Sequence, residues 1–266
     1  MSTPTPPPPA DQTKALGGQR ISANRTSLLL ILLIVGLVAM ALPIGAELYA
    51  RHLASTKVAN AVQCEVQDSA QVSFAEFPPV IWQYLTKDYP DISVRTSGKQ
   101  IRSAQGMGIA LDIRNIKLST GNNSKGTIGS INGTITWSAE GIKRSIQDAI
   151  PVLGKFVTGN VTTDPASGTV SLKGIFDSAT VKPQIVDNGL SLHVVSLSAL
   201  GSDITTTKVQ KDLDSLTSKA TQNYPLGIHA DSVKVTDSGV EATFSSHNAT
   251  IPASSGDNQD PCLANL

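Results

Sequence analysis

The sequence predicts an α+β fold: an N-terminal transmembrane helix followed by a domain built mostly of antiparallel strands with helical interruptions. Three observations predict it. Residues 28–46 are 19 consecutive positions without a charge. At the ~1.5 Å rise per residue of a helix they span roughly 28 Å, about the thickness of a bilayer's hydrocarbon core. Beyond them, apolar and polar residues alternate with a period of two in many short segments, and only a few stretches show the three- and four-residue spacing of helices.

Residues 1–27 are proline-rich from 3 to 9 and polar thereafter, and such a segment cannot bury enough apolar surface to fold. They read as a disordered cytoplasmic tail. Lys14, Arg20 and Arg25 precede the apolar run with only Asp11 to oppose them, whereas Glu47, Arg51 and Lys57 follow it. The positive-inside rule then places residues 1–27 in the cytoplasm and the bulk of the chain outside, as a single-pass protein of the cell membrane. A cleaved signal peptide is the alternative, with Ala39-Met40-Ala41 as an acceptable small-x-small site. The run is longer than a usual signal core and no cysteine follows it to take a lipid, so residues 28–46 read as an uncleaved anchor.

From Glu47 to Val66 the chain carries helix formers without Gly or Pro, with Leu48, His52, Ala59 and Val62 spaced as on a helix. Five of the eleven aromatic residues then fall between Phe74 and Tyr89. Pro78 and Pro79 suit a helix's first turn, so residues 80–87 are expected to form a short apolar helix, followed by a strand over 92–96. Ile109, Leu111 and Ile113 share one strand face and Ile116 and Leu118 continue out of phase, which predicts a bulge near Asn115. Gly121 to Ser124 reads as a turn. Further strand faces are Ile131, Gly133, Ile135 and Trp137, then Val170, Leu172, Gly174 and Phe176, then Leu190, Leu192 and Val194. Segments 228–235 and 240–244 form a hairpin across Asp237-Ser238-Gly239. Two helices interrupt the strands. One carries Ile142, Ile146, Ala149, Ile150, Leu153, Phe156 and Val157 and is split by Pro151; the other carries Val209, Leu213, Leu216 and Ala220. Residues 47–252 therefore form one extracytoplasmic domain and 253–266 a C-terminal tail.

Cys64 and Cys262 are the only cysteines. An even count in an exported chain reads as one disulfide, with two free thiols as the alternative. The bridge would tether the C-terminal tail and enclose almost the whole domain, a closure worth about 5 kcal/mol in the chain-entropy account.

Composition narrows the function. The formal net charge is zero, and past residue 46 there are 18 basic and 20 acidic side chains, so no bulk charge attracts nucleic acid. Gly129-Ser130-Ile131-Asn132-Gly133 has its serine one place early for a nucleophile elbow, and Thr127 stands where a P-loop would need lysine. His52, His193, His229 and His247 are isolated, without the spacing of metal ligands. Asn122, Asn132, Asn160 and Asn248 head N-x-S/T sequons, which matter only in a host that glycosylates exported proteins. No catalytic residue, metal site or cofactor is expected. Apolar side chains without catalytic chemistry suit a groove for acyl chains or, equally, a closed core, and periodicity alone favours the core.

Three blocks of sequence bear on that choice: Gly45-Ala46-Glu47-Leu48-Tyr49-Ala50 with the helix after it, Phe77-Pro78 leading an aromatic helix to Tyr89, and Tyr224-Pro225-Leu226-Gly227-Ile228 through Gly239-Val240-Glu241-Ala242. In these the chain resembles the LmeA family of phospholipid-binding proteins of actinobacterial cell envelopes, over roughly residues 45–251. Pro79-Val80 and the Gly/Asn-rich stretch around Gly121 depart from the family pattern. The resemblance implies a tubular lipid-binding fold, a highly curved antiparallel sheet wrapped around helices. It also implies phospholipid as partner, with phosphatidylinositol-type lipids among the candidates. The expectation is a membrane-anchored protein that holds or transfers lipid through an apolar groove; an anchored scaffold with a closed core is the rival, and a hydrolase the remotest. Phe77, Ile81, Trp82 and Leu85 would line the groove's entrance and Ile113, Ile135, Trp137, Leu153, Phe156 and Leu213 its depth, with Arg95, Lys99 and Arg102 available to a head-group phosphate.

Overall fold

The computed structural model describes residues 25–119, 124–149, 159–174, 178–198, 205–221, 225–252 and Cys262. By its internal contacts the chain divides into two units after Ala46. Helix α1 (Arg25–Val66) runs through both and accommodates Pro43 without ending. In the first unit its side chains are exposed and apolar on every side. A helix apolar all round needs a non-aqueous surrounding, so this one is a candidate membrane anchor or signal sequence.

The second unit follows α1 with β1 (Ala70–Phe74), helix α2 (Val80–Thr86), β2 (Asp88–Thr96), β3 (Gln100–Ile101), β4 (Ala104–Gln105), β5 (Met107–Leu118), β6 (Ser124–Ser138) and α3 (Ala139–Ala149). It continues with β7 (Val161–Asp164), β8 (Thr169–Lys173), β9 (Ser178–Val186), β10 (Gly189–Ser198), α4 (Thr206–Thr221), a 3-10 turn (Pro225–Gly227), β11 (His229–Thr236) and β12 (Gly239–Pro252). All strand pairs are antiparallel. The strands divide between a six-stranded sheet of order β1-β2-β5-β6-β12-β11, a four-stranded sheet of order β10-β9-β8-β7, and the small β3-β4 ribbon. Where the sequence suggests one sheet there are two main ones, because the β7–β10 hairpins present a complete apolar face of their own to α3 and α4. There Val170, Leu172, Ala179, Val181, Leu192 and Val194 close against Ile142, Ile146, Val209 and Leu213 in one core that also takes in Val235 and Val240. The second half of the α3 stripe, with Ile150, Pro151, Leu153, Phe156 and Val157, lies outside the described residues, as do Phe176 and the Gly121 turn.

The six-stranded sheet is two-faced. Cross-strand rows such as Phe74–Ile92–Ile113–Ile131, Val72–Val94–Leu111–Gly133–Phe244 and Ile109–Ile135–Ala242–Val233 place apolar side chains on one face. The other face carries Ser73, Ser93, Asp112 and Asn132 in register, with Ser93 Oγ donating to Asp112 at 2.7 Å. A row of four positions, Pro90, Asn115, Gly129 and Asn248, is skipped by the ladder while the register on either side is unchanged. Asn115 and Asn248 have φ of +54° and +52°, in the left-handed region that Asn tolerates better than other side chains. The phase change at Asn115 is therefore a crease across four strands rather than a bulge: no residue is inserted. It returns Ile116, Ile128 and Ala249 to the same apolar cluster as Ile113 and Ile131. Gly129 sits where an added Cβ would come within 2.8 Å of Asn115 Cβ, so the strands approach closely there only because that side chain is missing.

Cys64 and Cys262 form a disulfide with Cα atoms 5.5 Å apart. The β11–β12 hairpin turns through Asp237-Ser238, with Thr236 opposite Gly239. Leu213 is 1% exposed at the centre of the four-stranded layer. Leu213→Ala is expected to lower stability by about 2–5 kcal/mol, the range for a buried leucine whose cavity relaxes only in part, read as a shift of the chemical denaturation midpoint.

Candidate functional site

Helix α2 reverses the usual arrangement of a surface helix. Its polar Gln83 is fully buried, donating from Nε2 to the carbonyls of Ala75 at 3.1 Å and Pro78 at 2.6 Å. Its large apolar residues face outward instead. Trp82 is 59% exposed and Leu85 68%, with Ile81 and Tyr84 also open, and Phe77 just before the helix is 83% exposed. Isolated exposed apolar residues are ordinary, but five large ones on nine residues are not.

The helix lacks a local cap. Pro79 at its N-cap contributes no side-chain hydrogen bond, so the first free N–H groups need an acceptor from elsewhere. Glu47 supplies it from α1: Oε1 accepts from the Val80 N–H at 2.7 Å and Oε2 from the Ile81 N–H at 3.3 Å. Arg51, one turn along α1, pairs with Glu47 at 3.1 Å and donates to the carbonyls of Phe74 at 2.9 Å, Ala75 at 3.0 Å and Glu76 at 3.3 Å. Burial pushes the Glu47 carboxyl up, but the two N–H groups and the Arg51 guanidinium together outweigh it, and the net shift is downward. At the other end of this part of α1, Asp68 accepts from Ser97 Oγ at 2.5 Å and from the N–H groups of Ser69, Gly98 and Lys99 at 2.8–3.1 Å. Its burial opposes ionisation and those four donors prevail, so its pKa is lowered as well.

Beside the clamp lies the apolar face of the six-stranded sheet. Tyr89, Ile92, Leu111, Ile113, Ile228 and Ile251 are only half-buried there, around the buried Ile116, Ile128, Ile131 and Ala249. At the sheet's edge, α1 and β1 border an open groove of about 700 Å³ of mixed lining, with Ala59, Ala70 and Val72 beside His52, Ser73 and Arg95.

The sequence-predicted residues fall in different places. Phe77, Ile81, Trp82 and Leu85 gather on the outward side of the α2 segment, and Ile113 and Ile135 are half-buried on the apolar sheet face. Trp137 packs against the helix-covered core, its indole N–H donating to the Gln105 carbonyl at 2.9 Å. Leu213 is enclosed in that core, and Leu153 and Phe156 lie outside the described residues. Arg95 borders the α1–β1 groove, 3.7 Å from Asp112; Arg102 is ion-paired with Glu65; and Lys99 gives its backbone N–H to Asp68. Sequence reasoning missed the Glu47–Arg51 clamp. The available signal was an acid–base pair at i,i+4 directly after the uncharged run. Among the described residues no three His, Cys, Asp or Glu side chains gather as a metal site.

The profile of a family described as LmeA-like phospholipid-binding matches residues 45–245, a span that takes in the clamp, α2 and nearly all of both sheets. Two proteins named only as uncharacterized, one from Mycobacterium bovis and one from Mycobacterium tuberculosis, are each 47% identical to this chain over 259 residues, covering 97% of it and 72% of themselves. No solved structure matches the chain.

Because the folded pKa of Glu47 is depressed, its contribution is complete above the ordinary glutamate value of about 4.3 and is lost as pH falls through the lower folded value. Glu47→Ala should remove the cap of α2 at a cost of about 1 kcal/mol, the usual worth of such a cap. The protection factors of the Val80 and Ile81 amides, with the intrinsic exchange rate at each pH divided out, should fall in this variant at neutral pH and in the unmodified chain only under acid.

Proposed function

The chain belongs to the LmeA-like phospholipid-binding family, and on that premise we propose a membrane-anchored, extracytoplasmic protein that holds or passes a phospholipid along the apolar face of its six-stranded sheet. The observation that carries this reading is the incomplete closure of that face. Ile92, Leu111, Ile113 and Ile135 stay half-buried in unbroken rows, whereas the four-stranded layer is sealed by its helices. An acyl chain laid along those rows gains ~0.8 kcal/mol per methylene removed from water. The mechanism is non-covalent: the sheet shields the acyl chains, and the head group stays near water.

In this reading residues 1–27 are a cytoplasmic tail, 28–46 the anchor, 47–252 the lipid-binding domain, and 253–266 a tail tethered through Cys262. The creased sheet serves as the trough of a tubular lipid-binding arrangement. Phe77, Ile81, Trp82 and Leu85 form the entrance, Ile113 and Ile135 the lining, and Arg95, 61% exposed, is open to a phosphate; phosphatidylinositol-type lipids are the first class to test. The sealed core around Leu213 favours a second reading, an anchored scaffold that carries no lipid.

The full chain, purified from a mycobacterial host in mild detergent, should show by native mass spectrometry a co-purifying mass that fragments as a phospholipid. An apo mass unchanged by incubation with envelope lipid extract would favour the scaffold. Trp82→Asp should strip the bound lipid while changing stability by no more than about 0.5 kcal/mol, as expected at an exposed position. Unchanged lipid retention in this variant would remove α2 from the mechanism.

A further inference from the structure

We propose that α2 and the turn before it are a membrane-docking foot, whose outward Phe77, Trp82, Tyr84 and Leu85 sit in the interfacial layer of the same bilayer that holds residues 28–46. The proposal rests on the anchor reading and adds to it a second, independent point of contact between the folded domain and the lipid surface.

Three observations converge on this partner. The first is position. Glu47 is the residue that directly follows the uncharged run, and its carboxylate holds the first two N–H groups of α2 at 2.7 Å and 3.3 Å. When Glu47 stands at the level where the helix leaves the hydrocarbon, α2 stands within a hydrogen bond of that level. The second is chemistry. Trp and Tyr are the side chains that collect where apolar and aqueous media meet, because each joins an apolar ring to a polar tip. Here they flank Leu85 and follow Phe77, which suits the acyl boundary.

The third is the inversion of the helix. Its polar anchor points inward, with Gln83 bonded to the carbonyls of Ala75 and Pro78, while Arg51 takes up the carbonyls of Phe74, Ala75 and Glu76. The backbone around the foot is thus satisfied from within, leaving apolar side chains to face a medium without water. Lys117 shares a recess of about 380 Å³ with Trp82, and Asp88 stands in the same recess, so a cation is available at head-group depth but not in excess. A balanced rim fits zwitterionic and anionic lipids alike. The consequence for function is that lipid reaches the sheet face from within the leaflet, without crossing water.

The test uses tryptophan quenching by spin-labelled lipid in the full chain. Reconstituted in phosphatidylcholine–phosphatidylinositol vesicles, the Trp137→Phe chain reports Trp82 alone, since the sequence has two tryptophans. Phospholipid labelled near the head of the acyl chain should remove most of the Trp82 emission, and phospholipid labelled near the methyl end much less. If Trp137→Phe fails to fold, the same signal is the difference between the intact chain and Trp82→Phe. A Leu37→Trp variant without the two native tryptophans checks the anchor and should be quenched most by the deep label. Deep quenching of that variant with Trp82 indifferent to both labels would overturn the foot and leave the anchor standing. Failure of the Leu37→Trp variant to quench would overturn the anchor reading and the foot with it. Trp82 shielded from lipid in a chain that migrates as a dimer would assign the face to a second copy instead.

Discussion

The acid–base pair at Glu47 and Arg51 holds together a set of elements that local sequence preferences do not. Glu47 acts at a distance of 33 residues as the missing cap of α2, and Arg51 gathers three consecutive carbonyls at the end of β1. The Ala75 carbonyl also accepts from Gln83, and the part-buried Val80 N–H and Phe74 carbonyl take their side-chain partners from the pair. With them satisfied, the 74–79 turn can run with two adjacent prolines and still present its side chains in a fixed direction. The outward aromatic surface, the start of β2 and the edge of the six-stranded sheet all take their placement from this clamp.

What was legible in the sequence follows from period and punctuation. The uncharged run, the strand faces at 109–113, 131–137, 170–172 and 190–194, the short helix after Pro79 and the Asp237-Ser238 hairpin could all be read because each depends on neighbours within a few residues. The division into two sheets could not. Which strands pair is decided by long-range registers such as Phe244 opposite Gly133 and Ala242 opposite Ile135, and no local period encodes them. The crease at Asn115 left a trace as a phase slip, but its nature became clear only once Pro90, Gly129 and Asn248 lay beside it.

The candidate site was legible in composition more than in placement. The cluster of aromatics between Phe74 and Tyr89 stands out in composition, and α2 and the turn before it carry the exposed Phe77, Trp82 and Tyr84. The amphipathic stripe that carries Leu213 looks the same in sequence whether it closes a core or borders a groove; the partner surface, here the β7–β10 face, encloses it. Sequence displays the charge of a basic residue but not its partner. Arg102 turned out to be engaged by Glu65, and Asp68 holds the backbone of the turn that carries Lys99. The clamp went unseen because Glu47 and Arg51 look like an ordinary i,i+4 surface pair, and their real partners are backbone atoms that sequence does not display.

The Cys64–Cys262 bridge has a mechanical meaning. It joins a residue two positions before the end of α1 to the far end of the chain, with a sequence separation of 198. Tension applied between the N-terminal part of α1 and the chain beyond Cys262 therefore runs along α1, across the sulfur atoms and out, bypassing the described strands. Both sheets lie in a loop that carries none of that load. Reduction would put them in series with the pull, and the force that the covalent route absorbs would then fall on hydrogen-bonded ladders. A pull between the two ends of this loop thus leaves both sheets unloaded for as long as the surroundings stay oxidising.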